Sequence, residues 1–348
     1  MSPNLGGIIK WGLVIVGLVV LYVLFSFLRS VYTDWLWFDN LGYKSVFLTI
    51  LTTKIWLFFA GALMFALLVV PNLIVAQRFS QGPSTIPLPP ESVHLLRRIT
   101  FWGIVVAVLL ISTIFGSVAS GRWEVFLRFM NSVPFGQTDP QFNKDISFYV
   151  FTLPILHFIQ GWLLGAVIVI LLATIGLHFV NFTLRGVRFD LTPAIRVHAS
   201  ILGAALMFVI AWGHWLARWE ILYSTHGAVV GATYADVHAR LPVLLLLTAI
   251  AVSSGILMLL NAYFRGLRLL VGALALWIAI AIVGGAIYPA LVQRFSVEPN
   301  EFVREQEYID RNIKFTRQGF ALDRIEEESF PAKPIIDQAT LDQNSATI

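Results

Sequence analysis

A chain of 348 residues with 57% hydrophobic and 13% charged side chains is not a soluble domain, which carries roughly 25% charged residues. The net charge of +4 hides a division: residues 1–293 hold 17 Lys+Arg against 9 Asp+Glu, while residues 294–348 hold 7 against 11. The basic residues are scattered between apolar runs without a stripe, which argues against a nucleic-acid partner. The absence of cysteine excludes disulfides, thiol nucleophiles, Cys-ligated zinc and covalent c-type haem.

Crossing roughly 30 Å of hydrocarbon takes about 20 apolar residues. Seven runs qualify, at 8–27, 55–76, 100–118, 158–180, 199–216, 241–260 and 269–288. They are continuous rather than alternating, which excludes a membrane barrel. The first has Lys10 near its start and no small-x-small cleavage site after Phe27, so it reads as an uncleaved span. With the N-terminus cytoplasmic, nine Lys/Arg fall on the inner side and eight on the outer. The inner loops are shorter and so denser in basic charge, which favours this orientation and an extracytoplasmic C-terminus. The expected class is therefore an all-α polytopic membrane protein. Its seven transmembrane helices fill residues 1–293, and 294–348 form a polar, mostly helical or extended arm.

Between the runs, the aromatic stretch YTDWLWFDNLGY at 32–43 suits headgroup depth. The connector QGPSTIPLPP at 81–90 is expected to be stiff and extended. Residues 121–131 place Trp123, Phe126, Leu127 and Met130 on one helical face opposite Glu124 and Arg128, predicting an amphipathic helix. Asp139, Asn143 and Asp145 follow in a turn-rich patch; they are read as Asx turns and caps, with a hard-cation site as the alternative. Gly161-x-x-x-Gly165 predicts close helix packing, and Gly284-Gly285 with Pro289 is the one candidate break in the seventh run. In the arm, Pro299 suits a helix start and Gly319 a stop. Phe302, Ile309 and Ile313 form the stripe expected to dock.

Four segments resemble, in this order, one family: YTDWLWFDNLGYKSVF (32–47), DPQFNKDISFYVFTLP (139–154), GATYADVHARLP (231–242) and REQEYIDRNIKFTRQGFALDRI (304–325). The family is the uncharacterised protein family 0182, a group of large bacterial membrane proteins. The resemblance implies seven membrane helices followed by a large extracytoplasmic domain, of which the arm is then the incomplete start. It implies no reaction, no cofactor and no site residue.

Three functions remain open on the residues alone. The first is a plasma-membrane anchor or scaffold for an extracytoplasmic domain acting in the cell envelope, with the lipid bilayer and an envelope protein as partners. No Asp or Glu lies within any of the seven runs, whereas carriers place ionisable groups there; that favours the anchor over the second reading, a transporter or channel. The third is a metal-dependent enzyme at the membrane surface, with His157, His214 and Glu220 as ligands of a kind that suits zinc.

Overall fold

The computed structural model describes residues 5–80, 90–187, 192–225, 227, 229–264, 267–325, 337–343 and 345. The expected connector at 81–90, apart from Pro90, and the acidic stretch 326–334 lie outside them. Among the described residues there is no strand, only an isolated bridge between Thr138 and Asp145. The long helices are α1 (Leu5–Asn40), α2 (Lys44–Phe79) and α3 (Pro90–Ser120), then, after the short α4 (Trp123–Met130), α5 (Leu153–Leu184), α6 (Pro193–Glu220), α7 (Leu241–Phe264) and α8 (Leu267–Ile282). The short α9 (Tyr288–Val292), α10 (Glu301–Gly319) and α11 (Gln338–Gln343) complete the chain. Among the described residues, seven helical stretches are long and apolar enough to cross a membrane, and the all-α polytopic class expected from the apolar runs is what the chain adopts.

Two compact units result. One comprises Met1–Trp219 and Leu241–Ile287; the other joins Glu220–Arg240 to Tyr288–Ile348. The second unit recruits a loop from the middle of the chain.

In the first unit the tightest joint is between α2 and α3. A Cβ on Gly116 would lie 2.6 Å from the Phe58 carbonyl oxygen, and one on Gly61 would lie 2.7 Å from the Ala119 Cβ. Small residues let two backbones approach, which is how helices gain packing energy where no water drives them together. The joint brings Phe115 onto the core: its ring stacks on Phe65 at 4.2 Å and meets Trp162 edge-on at 5.2 Å. The Trp162 indole N–H donates to the Phe115 carbonyl at 3.2 Å. Phe65, Val69, Trp162, Ala166, Ile170 and Leu202 form the buried cluster. The expected close approach at Gly161 and Gly165 is not made there: nothing lies within 4 Å of a Cβ on Gly161, and Gly165 meets only the Phe115 ring at 3.8 Å. A glycine pair signals permission to approach, and the partner helix decides whether it is used.

Other expectations hold in altered form. The amphipathic helix forms as α4, with a Glu124–Arg128 ion pair on its outer face and Lys54 over the Trp123 ring at 5.4 Å. Gly284-Gly285 does not break the seventh span; it lies in a π-turn, Val283–Ile287. There a Val243 methyl sits 2.9 Å from where a Gly284 Cβ would be.

The glycine joint yields a direct comparison. Gly116→Ala drives a methyl into backbone and is expected to cost about 1–3 kcal/mol, the range for overpacking. Gly161→Ala, which meets open space, is expected to be neutral or mildly stabilising. Reversible unfolding in mixed micelles measures both; equal effects would contradict the packing described.

Candidate functional site

The second unit is organised by a short turn. Thr233 and Asp236 cap each other: the Thr233 hydroxyl donates to Asp236 Oδ2 at 2.9 Å, and the Asp236 N–H donates back to Thr233 Oγ1 at 3.1 Å. This is the reciprocal arrangement that starts a helix, here a π-turn over Asp236–Arg240 that runs on into α7. Arg240 reaches back to Asp236 at 3.5 Å. The turn holds Tyr234 with its ring stacked on His238, centroids 4.1 Å apart.

Against Tyr234 lies Glu305 of α10, which is only 2% exposed. Its two carboxylate oxygens accept the Tyr234 N–H at 3.1 and 3.3 Å, a bond between residues 71 positions apart. Arg304 donates to the Tyr234 hydroxyl at 2.6 Å and lies over its ring at 4.8 Å. Asn312 donates to the Val230 carbonyl at 2.7 Å. A carboxylate taken out of water is costly unless donors meet it, so Glu305 ties loop and helix together only in this one register. The face of α10 that docks is therefore Glu305 and Tyr308, both buried. Of the expected apolar stripe, Phe302 and Ile313 are exposed, 71% and 51%, and only Ile309 is half-buried. The α10 helix does stop at Gly319, yet the left-handed residue is Ala321 at φ 54°.

In the first unit, Asp139 and Asp145 serve the backbone. Asp139 accepts N–H groups from Gln141, Phe142 and Lys144 at 2.6–2.9 Å, and the Tyr149 hydroxyl at 2.7 Å. Asp145 accepts from Phe135, Gly136 and Ser147 at 2.8–3.1 Å. Asn143 takes a left-handed conformation, φ 53°. These are the turn and cap roles expected for them, and the carboxylate oxygens face N–H and O–H donors. The Ser147 hydroxyl and N–H, with the Phe135 and Gly136 amides, hold the Asp145 carboxyl down at about 2.

At the opposite end of the bundle, α2, α5 and α6 enclose a polar cluster that the apolar runs concealed. Ser80 gives its one hydroxyl proton to the Ala76 carbonyl at 2.8 Å, so His178 Nδ1–H is the donor to Ser80 Oγ at 2.7 Å. Asn72 donates its amide to the Leu68 carbonyl at 2.7 Å, which leaves Oδ1 to accept His198 Nε2–H at 3.0 Å. By this proton count each neutral ring keeps a lone pair on its other nitrogen. Those nitrogens, His178 Nε2 and His198 Nδ1, are buried with no partner among the described residues, and the rings are 6.5 Å apart. Asn181 donates to Gln77 at 3.0 Å and Arg185 to the Ser80 carbonyl at 2.7 Å beside them.

The family model of the uncharacterised protein family UPF0182 matches residues 11–348. The chain belongs to that family. It is similar to a UPF0182 protein of Thermobifida fusca, 35% identical over 95% of this chain and 33% of the relative. A UPF0182 protein of Cupriavidus necator is 36% identical over 100% of this chain and 38% of its own length; that of Desulforamulus reducens is 35% identical over 97% and 38%. The chain thus spans about a third of the length of these relatives. No solved structure matches it.

The three residues considered for zinc are placed as follows in this UPF0182 member. His214 Nε2 accepts the Trp277 indole N–H at 3.3 Å. His157 stands in the first turns of α5, and Glu220 belongs to the second unit. Among the described residues, no three His, Asp or Glu side chains come together as a metal-holding group. Near His214, the Arg218 guanidinium lies over the rings of Trp215 at 3.5 Å and Trp219 at 4.2 Å.

Two outcomes follow from these geometries. Glu305→Ala strips the Tyr234 N–H of its acceptor and is expected to speed proteolytic cutting of the 220–240 loop severalfold; Glu305→Gln keeps an acceptor and should cut like the parent. Identical cutting in all three chains would show that Glu305 does not hold the loop. For Asp145 the folded-state value lies below the ordinary 3.8, so its contribution is complete above that value and lost as pH falls through about 2. Amide exchange at Gly136 and Ser147, corrected for intrinsic rates, should therefore be as slow at pH 4 as at pH 6. In Asp145→Asn it should be faster at both.

Proposed function

We propose that this UPF0182 member is a plasma-membrane anchor, whose helices mount a polar extracytoplasmic unit that acts in the cell envelope with an envelope partner. The observation that carries this reading is the Glu305–Tyr234 tie, which welds the tail to a loop from between two membrane-length helices. The chain enters the second unit after Trp219, leaves it at Leu241 and returns at Tyr288. A single tether needs none of this; a mount for something larger does. The relatives, about three times as long as the part matched here, support the same reading. The shorter loops that carry nine of the Lys and Arg residues when the N-terminus is cytoplasmic favour the tail lying outside.

A chain without cysteine makes the test clean. Lys314→Cys, on an exposed position of α10, should react with a membrane-impermeant maleimide in intact cells; Arg98→Cys, exposed near the start of α3, should react only after lysis. The reverse pattern would overturn the proposal.

One observation favours a second reading, transport. Ionisable groups buried within a membrane bundle mark pathways by default, and His178 and His198 are such groups. On the anchor reading, vesicles carrying the purified chain leak protons no faster than empty ones. A proton flux that His178→Gln abolishes would establish transport instead.

A further inference from the structure

A cavity of about 230 Å³ opens between α2, α3 and α5. Phe65, Val69 and Leu73 of α2 line one wall, Thr100 to Ile111 of α3 another, and Val169 to Val180 of α5 the third. Thr100 carries the one side-chain polar atom in this lining. The eleven helical steps from Thr100 to Ile111 rise about 16 Å, which is close to half of the roughly 30 Å hydrocarbon thickness. The groove therefore has the depth of one leaflet, beginning at the end of the bundle that holds Ser80 and stopping near its middle. An apolar cavity of this kind stays dry and takes up hydrocarbon instead.

The stripes that line the groove continue into polar residues at its open end. On α3 the residue three before Thr100 is Arg97, and on α2 the residue four after Leu73 is Gln77; these spacings keep each on the groove's own face. Gln77 is engaged by Asn181. Arg97 is exposed, as are Arg98 and Arg78 nearby in the chain. Among the described residues at this end of α2 and α3 and at the C-cap of α5, there are four basic side chains, Arg78, Arg97, Arg98 and Arg185, and a single acid, Glu91.

We propose that this groove is a binding site for one anionic phospholipid, with an acyl chain between α2, α3 and α5 and its phosphate at Arg97. The apolar walls select a hydrocarbon tail, and the excess of guanidinium groups selects a negative headgroup. This goes beyond the anchor reading and does not depend on it, since lipid could occupy the site whatever the second unit does.

The test uses the whole chain in nanodiscs of equal parts phosphatidylglycerol and phosphatidylethanolamine, with lipids retained on the released protein counted by native mass spectrometry. One phosphatidylglycerol per chain is expected to stay bound in preference to phosphatidylethanolamine. Arg97→Gln should reduce that preference about fivefold, the worth of one arginine at an anionic surface, without emptying the groove. Gly176→Leu fills the groove from a position where a Cβ meets nothing within 4 Å; it should leave the melting transition unchanged and abolish retention of either lipid. Equal retention of both lipids by the parent chain would overturn the proposal, as would a phosphatidylglycerol preference untouched by both substitutions.

Discussion

A carboxylate that loses its water has to be met by donors, and in the second unit that requirement falls on Glu305. Its partner is a backbone N–H in a loop 71 residues earlier, so helix α10 cannot slide or turn on the loop without stranding a buried acceptor. Hydrophobic contact is non-directional and sets such a register less sharply than a directional bond. Arg304 on the Tyr234 hydroxyl and Asn312 on the Val230 carbonyl reinforce the same register with directional bonds. The tail becomes a structural element because one buried acid allows only one arrangement.

The first unit obeys the same constraint under harsher terms, since hydrocarbon offers no water at all. Its hydrogen-bonded polar clusters lie towards the two ends of the bundle, where loop amides and side chains from neighbouring helices meet. Asp139 gathers three backbone amides and a tyrosine hydroxyl at one end. At the other, Ser80, Asn72 and the two histidines pair across α2, α5 and α6. Between the ends, packing rests on size: Gly61 and Gly116 bring α2 onto α3, which sets Phe115 against Phe65 and Trp162.

Much of this was legible in the residues, and the pattern of what was not has a physical cause. Apolar runs report helix existence because length against bilayer thickness is a one-dimensional property, and every expected run lies within a helical stretch of the structure. Asp139, Asn143 and Asp145 could be read as turn residues because their partners are within ten positions. The docking face of α10 could not. Phe302 and Ile313 follow the helical period and were the natural choice, but Glu305 and Tyr308 are buried instead, since their partners come from the distant 220–240 loop. His178 and His198 were hidden likewise: each sits at the edge of an apolar run, and only folding sets them 6.5 Å apart. Gly161-x-x-x-Gly165 misled for the opposite reason, a local motif without a neighbouring helix to use it.

The central claim is that loop and tail fold as one body, and spin labels can test it most directly. Val230→Cys and Ile313→Cys occupy exposed positions, 66% and 51% open to solvent, on the two segments joined through Asn312. With both labelled in the membrane-embedded chain, the account predicts strong dipolar broadening relative to the summed single-label spectra. A doubly labelled spectrum that equals that sum would mean that the loop and the tail move independently, and the mount would not exist.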